Sequence, residues 1–229
     1  MKIRNPFKDL TRFELSLWLT SAAVVIISFI FSPEKNVLTL CASLVGVTAL
    51  IFIAKGYVIG QVLIIAFSLL YGIVSYNHAY YGEVITYVGM SAPMAVMSLI
   101  SWLTHRYKDT KEVSVNRMSK GQILLMLILT ALVTFGFYFI LEALGTASLI
   151  VSTLSVATSF AAVYMTFMRS PYYAIGYSLN DLVLIGLWVV ASIKNPAYIP
   201  MILCFVMFLI NDLYGFISWR KMEQKQRNS

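Results

Sequence analysis

Residues 121–141, GQILLMLILTALVTFGFYFIL, form an uncharged apolar run between Lys120 and Glu142. A helix of roughly 20 apolar residues crosses about 30 Å of hydrocarbon, so this run is long enough to span a membrane once. Four apolar runs of similar length precede it and three follow it, and each of the last two is interrupted by one Asp. The sequence therefore predicts an all-α membrane protein with eight transmembrane helices.

The basic residues fall on alternate sides of these eight runs. If the N-terminus lies in the cytoplasm, all 17 Lys and Arg except Lys35 and Lys194 lie on the cytoplasmic side. Cytoplasmic loops carry an excess of Lys and Arg, and adding or removing one helix would destroy this pattern. We expect a multi-pass protein of the cytoplasmic (inner) membrane whose N- and C-termini both lie in the cytoplasm.

The composition excludes several classes of function. Hydrophobic residues make up 59% of the chain and charged residues 12%, and the mean hydropathy of +0.80 lies outside the range of soluble globular proteins. The net charge of +7 comes from residues that flank the runs, which favours contact with the lipid bilayer and not with nucleic acid. The sequence contains no phosphate-binding glycine motif, no metal-ligand spacing and no paired nucleophile and base. We therefore predict no cofactor, no metal and no enzymatic activity.

The two halves of the chain resemble each other. Lys55 matches Arg169 at an offset of 114 residues, and Ile100-Ser101-Trp102 matches Ile217-Ser218-Trp219 at an offset of 117. A single crossing, the run 121–141, separates the halves, so both have the same orientation and form a parallel repeat about an axis along the membrane normal. The predicted divisions are residues 1–35 for a cytoplasmic N-terminus and an extra transmembrane helix, 36–105 for the first three-helix repeat, 106–146 for a basic cytoplasmic loop and the linker helix, and 147–229 for the second three-helix repeat and a basic cytoplasmic tail.

Two tryptophans occupy matching positions in the two halves. Trp102 and Trp219 lie close to Arg106 and Arg220 in the sequence. Aromatic residues beside basic ones are typical of the membrane–water interface. We interpret the two tryptophans as interface anchors, with a functional gate as the alternative.

Two acidic residues lie inside the predicted spans, and each directly follows an asparagine. Asp181 follows Asn180 in span seven, and Asp212 follows Asn211 in span eight. Both asparagines lie about 14 to 16 Å from the cytoplasmic end, near the middle of a core of about 30 Å. An ionisable group at this depth costs several kcal/mol unless it faces protein or water, so we predict that the two pairs form a substrate site at one level. The alternative is that these groups tie helices together through hydrogen bonds.

Helical spacing places further residues beside these pairs. Tyr177 and Trp188 share a broad face of span seven with Asn180, and on span eight a tyrosine follows the asparagine after three residues. Hydroxyl groups and a cationic aromatic ring would suit this set, because amides donate and accept hydrogen bonds and aromatic faces attract cations. Gln61 in span three is as compatible with a position at the membrane–water interface as with a place in the site. Tyr71 of the first repeat is a candidate for lining the site. The substrate-binding candidates that accompany the two pairs are Tyr177, Trp188, Tyr214, Gln61 and Tyr71.

Two segments of the second half resemble one family of transporters. FLINDLYGFISW at residues 208–219 resembles the last helix of the PnuC family of vitamin transporters, and NDLVLIGLW at residues 180–188 resembles the helix that precedes it. The likeness extends into the first half through Ala54-Lys55-Gly56 and Tyr80-Tyr81-Gly82-Glu83, and it covers most of residues 36–220.

The resemblance implies a duplicated three-helix unit of the bacterial SWEET type and a homotrimer. It also implies facilitated diffusion (uniport) of nicotinamide riboside for NAD biosynthesis, with trapping by a cytosolic nicotinamide riboside kinase, and ligand binding by Asn180 and Asn211. The chain departs from the pattern at Tyr173-Ala-Ile-Gly176, where riboside-specific members have Trp-x-x-Trp, so thiamine and riboflavin stay open as substrates. A membrane receptor or scaffold that binds without transport is the alternative from another class.

Overall fold

The computed structural model describes residues 6–32, 35–77, 81–146, 148–194 and 199–228. Eight helical segments within these residues are long and apolar enough to cross a membrane, which confirms the predicted eight spans. The fourth span combines a π-helical segment, Ile85–Ser91, with the α-helix that follows it. The α-helices of the described residues are α1 (Arg12–Phe31), α2 (Val37–Ala54), α3 (Val58–Asn77), α4 (Tyr81–Val84), α5 (Ala92–Thr104), α6 (Lys120–Ala143), α7 (Leu149–Phe167), α8 (Tyr173–Lys194) and α9 (Ile199–Arg227).

Local sequence signals set where several helices begin. Helix α1 starts with a capping box, in which Thr11 accepts a hydrogen bond from the Glu14 amide and the Glu14 carboxylate accepts one from the Thr11 amide. Ser119 and Gln122 form the same reciprocal pair at the start of α6. Such pairs satisfy amide groups that have no partner within the helix, so each span starts at a defined residue.

The fourth span changes its helical geometry before a proline. Pro93 lies in the first turn of α5, directly after the π-helical segment. Proline has no amide hydrogen, so the carbonyl of Gly89 loses its usual partner in an α-helix. A π-helical turn is wider than an α-turn and is often found at functional sites. The wide turn carries Tyr87, whose ring contacts Tyr71 of α3.

The halves pack against each other in a reciprocal way. The first helix of the first half, α2, packs against α9, which is the last helix of the second half. The last helix of the first half, α5, packs against α7, which is the first helix of the second half. Two triples related by a two-fold axis would pack in this way, and the direction of that axis along the membrane normal stays a prediction. Helix α1 packs on α2 and α9, and α6 packs on α7.

The turns that follow the first helix of each half have the same backbone geometry. The Gly56 amide donates to the Ile53 carbonyl (2.8 Å), and the Arg169 amide donates to the Thr166 carbonyl (3.0 Å). Both Gly56 and Arg169 adopt positive φ angles, 65° and 57°. The equivalent of Arg169 is therefore Gly56 and not Lys55, because the structural offset between the halves is 113 residues here. The sequence match of Lys55 with Arg169 is off by one residue.

The basic segments gather at one end of the bundle, which we call the basic end. A strap, residues 105–119, crosses this end between α5 and α6. The Val113 amide donates to the Gly56 carbonyl (2.9 Å), and the Asn116 amide donates to the Arg169 carbonyl (3.0 Å). The Gln226 side chain near the end of α9 donates to the Val113 carbonyl (2.9 Å). The strap thus joins both halves and the C-terminal helix on the side where the sequence places most Lys and Arg.

Candidate functional site

Asp181 and Asp212 lie side by side in the interior of the bundle. They are carried by the adjacent antiparallel helices α8 and α9, each is only 4% exposed, and their carboxyl groups lie close enough to interact electrostatically. No Lys or Arg of the described residues forms an ion pair with either group. Asp181 Oδ2 is buried and has no hydrogen-bond partner within the described part of the chain. The structure therefore brings the two predicted acids to one level.

Asn211 faces the extra N-terminal helix. Its Nδ2 donates to Ser21 Oγ of α1 (2.8 Å) and to the Met207 carbonyl (2.8 Å). Its Oδ1 is buried without a hydrogen-bond donor among the residues that the structure describes. A buried acceptor that lacks a donor costs roughly 1–3 kcal/mol, so this oxygen is available to a ligand that brings a donor.

Asn180 faces a different helix. Its Oδ1 accepts hydrogen bonds from Ser155 Oγ and Thr158 Oγ1 of α7, both at 3.0 Å. The two asparagines therefore lie on either side of the aspartate pair and contact α7 and α1 respectively. Ser21, Ser155 and Thr158 were not predicted, because serines and threonines recur in most of the spans and nothing distinguishes these three in the sequence.

The asparagine contacts have the form that interhelical hydrogen bonds would take. A cavity of about 200 Å³ opens at the basic end, and a groove of about 270 Å³ lies between α7 and α8. Neither is lined by the two asparagines or the two aspartates. In this conformation the four groups pack against protein, and substrate binding by them stays a prediction.

The aromatic candidates of the second half lie in three different places. Tyr177 lies one helical turn before Asp181 on α8, beside the aspartate pair. Tyr214 lies nearer the basic end, where its hydroxyl donates to Glu14 Oε1 of α1 (2.8 Å). Trp188 is half-buried, further from the basic end on α8. Tyr177 lies close enough to both acids to interact with them electrostatically.

An aromatic cluster in the first half includes the predicted wall residue. The Tyr71 ring lies 4.5 Å from the Tyr87 ring and 5.7 Å from the Phe67 ring, measured between centroids. Phe67 also contacts Phe208 of α9 at 6.5 Å. Phe208 lies one helical turn before the Asn211-Asp212 pair, so the cluster adjoins the polar groups. We call Phe67, Tyr71, Tyr87 and Phe208 the aromatic cluster.

Of this cluster, only Tyr71 was a candidate from the sequence. The offset of 113 residues between the two turns aligns Phe67 with Asn180, an aromatic ring with an amide. Phe67, Tyr87 and Phe208 carried no signal in the sequence. Gln61 of α3 is buried, and its Nε2 has no hydrogen-bond partner in the described residues, so its part in a substrate site stays a prediction.

The matching tryptophans are core residues. Trp102 and Trp219 are each 0% exposed, and their ring centroids lie 5.4 Å apart. Trp102 Nε1 donates to the Thr166 carbonyl of α7 (3.0 Å), and Trp219 Nε1 donates to the Ile53 carbonyl of α2 (2.8 Å). The interpretation as interface anchors is wrong, because anchors of that kind expose one edge to water and headgroups.

Arg169 strengthens the contacts near these tryptophans. Its Nη1 donates to Ser101 Oγ (2.7 Å), and its Nε donates to the Ser114 carbonyl of the strap (3.1 Å). Partial burial lowers the pKa of the Arg169 guanidinium, because burial disfavours the charged form. The equivalent position in the other half is a glycine, so this part of the basic end is not symmetric.

Eight spans around a buried polar centre, with halves that pack reciprocally, define the class of an integral membrane transport protein. The chain belongs to the nicotinamide mononucleotide transporter family, whose model matches residues 36–221. That family consists of transporters and not of enzymes, which confirms the predicted lack of enzymatic activity.

Two further comparisons agree with this assignment. The chain is 26% identical over 227 residues to the nicotinamide riboside transporter PnuC of Neisseria mucosa, and the alignment covers 97% of this chain and 86% of that protein. Its fold is similar to the crystal structure of the vitamin B3 transporter PnuC, with a TM-score of 0.80, 26% identity, and coverage of 95% of this chain and 94% of that chain. The predicted membership of the PnuC family is confirmed. The three descriptions differ in the form of the substrate but share the nicotinamide group.

Proposed function

We propose that the protein carries nicotinamide riboside across the cytoplasmic membrane by facilitated diffusion. The family and the similar riboside transporter support this substrate. The riboside combines a cationic pyridinium ring, a carboxamide and ribose hydroxyls, which are the groups that the buried polar centre and the aromatic cluster suit best.

The observation that carries the proposal is the pair of unpartnered acceptors at the centre of the bundle. Asp181 Oδ2 and Asn211 Oδ1 are both buried without a donor in the described residues. Ribose hydroxyls and the carboxamide NH₂ are donors, so a bound riboside would satisfy both atoms and recover the cost of their burial. The carboxyl groups of Asp181 and Asp212 would face the positive charge of the ring.

The aromatic cluster would provide the other wall of the site. A cation over an aromatic face gains about 2 kcal/mol when both are removed from water. Phe67, Tyr71 and Tyr87 belong to the first half and the acids belong to the second, so the ring would bind between the repeats near the middle of the membrane. Of the aromatic residues expected from the sequence, Tyr177 borders the acids, and Trp188 and Tyr214 would complete the site only after a rearrangement.

The asparagines would change partners when the substrate binds. Asn180 now accepts from Ser155 and Thr158, and Asn211 donates to Ser21. A ligand shifts a conformational equilibrium only by making better contacts in one state than in the other. The ribose or the carboxamide would supply such contacts by replacing the helix-to-helix bonds of the two amides.

The energetics would need neither an ion gradient nor ATP. The span interiors carry two acidic residues and no second cluster that could hold a coupling ion. Uniport alone equalises concentrations, so net uptake would depend on a cytosolic nicotinamide riboside kinase that phosphorylates the product. A homotrimer, with both termini and the basic end in the cytoplasm of the inner membrane, completes the proposal.

Counterflow in proteoliposomes tests the transport function. Labelled nicotinamide riboside should enter vesicles preloaded with unlabelled riboside in the absence of sodium, proton and ATP gradients. A strict requirement for any of these would contradict uniport. Binding without counterflow would identify a receptor or scaffold.

A binding panel tests the substrate and the site together. Nicotinamide riboside should raise the thermal midpoint of the purified protein, and thiamine and riboflavin should not. Asn180→Ala and Asn211→Ala should weaken riboside binding about tenfold, whereas the exposed Asn228→Ala should leave it unchanged. If the parent protein bound thiamine or riboflavin more tightly than nicotinamide riboside, the proposed substrate would be wrong. If both asparagine variants bound the riboside as tightly as the parent, Asn180 and Asn211 would not belong to the site.

A further inference from the structure

A column of buried side chains runs from the aspartate pair to the basic end. Tyr177 borders the acids, and its ring lies 6.2 Å from that of Tyr173. Tyr173 lies 5.0 Å from Trp219, and Trp219 lies 5.4 Å from Trp102. Val113 of the strap is fully buried in the same hydrophobic cluster as the two tryptophans and Tyr173. The space between the proposed site and the basic end is therefore filled with side chains.

The two tryptophans fasten the halves to each other in equivalent ways. Trp102 of the first half donates to Thr166 of the second, and Trp219 of the second half donates to Ile53 of the first. Ile53 and Thr166 are equivalent residues, because each accepts the turn hydrogen bond from Gly56 or Arg169. The two hydrogen bonds are thus a reciprocal pair, and separating the halves at this end breaks both.

The strap also connects the two halves through hydrogen bonds. Its Val113 amide bonds to the Gly56 carbonyl of the first half, and its Asn116 amide bonds to the Arg169 carbonyl of the second half. The Gln226 side chain of α9 donates to the Val113 carbonyl and accepts from the Val115 amide. The halves cannot move apart at the basic end unless the strap releases at least one of them.

We propose that Trp102, Trp219, Tyr173 and Val113 are the gate that closes the transport pathway at the basic end. This inference rests on the proposed function, since a gate needs a transported substrate. Opening breaks the reciprocal tryptophan bonds and withdraws Val113 from the hydrophobic cluster that contains both rings, and the conformation described here is the one closed on that side. The tryptophans are gating residues and do not contact the substrate in the proposed site.

The accessibility of Val113 tests the gate without any substrate. In a Cys41→Ala/Cys204→Ala background, Val113→Cys is placed in lipid nanodiscs and its reaction with a polar maleimide is timed. Trp102→Phe and Trp219→Phe each keep an aromatic ring and remove one indole N–H donor. Each should raise the labelling rate by about fivefold, and by similar amounts, because each loses one of two equivalent hydrogen bonds. Asp109→Cys, at an exposed position of the strap, should label rapidly in every background.

Trp18→Phe is the matched control for the loss of an indole hydrogen bond. Trp18 Nε1 donates to Thr48 Oγ1 (3.0 Å) and joins α1 to α2 without linking the two halves. It should leave the labelling rate of Val113→Cys unchanged. Equal labelling in the parent, the Trp102 variant and the Trp219 variant would overturn the gate, and so would an equal increase in the Trp18 variant.

A reversible tether tests the gate if the tryptophan variants fail to fold. Lys55 of the first half and Lys221 of the second half line the same cavity at the basic end, so Lys55→Cys/Lys221→Cys in the Cys41→Ala/Cys204→Ala background can be joined by a cleavable bifunctional thiol reagent that holds the halves together directly. The tether should stop riboside counterflow while binding persists, and cleavage should restore counterflow. Undiminished counterflow in the tethered protein would overturn the gate. A parent protein with neither binding nor counterflow would refute the proposed function, and the labelling experiment would still decide whether this end opens.

Discussion

The two halves of the molecule share equivalent tryptophan contacts at the basic end and differ at mid-membrane. At the basic end each half contributes a buried tryptophan that donates to the equivalent carbonyl of the other half. At mid-membrane, the offset of 113 residues between the two turns aligns Phe67 of the first half with Asn180 of the second. The contacts that both halves share hold the halves together. The groups proposed to bind the substrate are divided between an aromatic first half and a polar second half.

The largest expected effect comes from neutralising the polar half. Asp181→Asn/Asp212→Asn keeps the shape of both side chains and removes their charge. We expect affinity for nicotinamide riboside to fall about 30-fold, or about 2 kcal/mol, which is the attraction between unit charges about 8 Å apart at an effective dielectric constant of about 20. Titration calorimetry with the purified protein measures the change.

A neutral ligand separates charge from shape in this experiment. The dihydronicotinamide form of the riboside has the same hydroxyls and an uncharged ring, so the double variant should bind it about as well as the parent does. Glu112→Gln, a charge loss on the strap, should affect neither ligand. An equal loss of affinity for both ligands would show that the acids do not face the ring, and the polar half would then contribute hydrogen bonds alone.

A smaller effect is expected from the aromatic half. Phe67→Leu removes the ring and keeps most of the apolar volume, so riboside affinity should fall about fivefold to tenfold through the loss of cation–π attraction. Phe135→Leu is the matched control, because Phe135 is highly exposed on α6. Unchanged riboside affinity in the Phe67 variant, with a normal thermal midpoint, would show that the pyridinium ring does not bind against Phe67. The aromatic half would then have no part in binding the cation.

The smallest effect concerns α1, which lies outside both halves. Ser21→Ala removes the acceptor of the Asn211 amide, so the free energy of unfolding should fall by about 1 kcal/mol while riboside affinity changes less than threefold. Ser28→Ala on the same helix is the control, since Ser28 Oγ is buried and has no hydrogen-bond partner in the part of the chain that the structure describes. Thermal unfolding checks the first expectation. A large loss of binding in the Ser21 variant would make α1 part of the site.

Much of the architecture could be predicted because it depends on properties of single helices. The length of each apolar run and the alternation of basic residues gave eight spans, and the depth of two acids in neighbouring spans brought Asp181 and Asp212 to one level. The partners of the asparagines could not be predicted. Ser21 lies 190 residues from Asn211 in the chain, and nothing in the sequence around it marks it as a hydrogen-bond partner.

The sequence by itself determined the number of spans and the family. This follows because a helix in lipid must satisfy its own backbone hydrogen bonds, so each span has a local signature of length and hydropathy. Tertiary structure alone decided that Trp102 and Trp219 are core residues, that the aromatic cluster adjoins the acids, and that the asparagines face different helices. In a bilayer the faces that contact lipid and the faces that contact protein are both apolar, so the sequence leaves open how each helix is rotated about its axis. Only the packed bundle fixes that rotation, and with it the partner of every side chain.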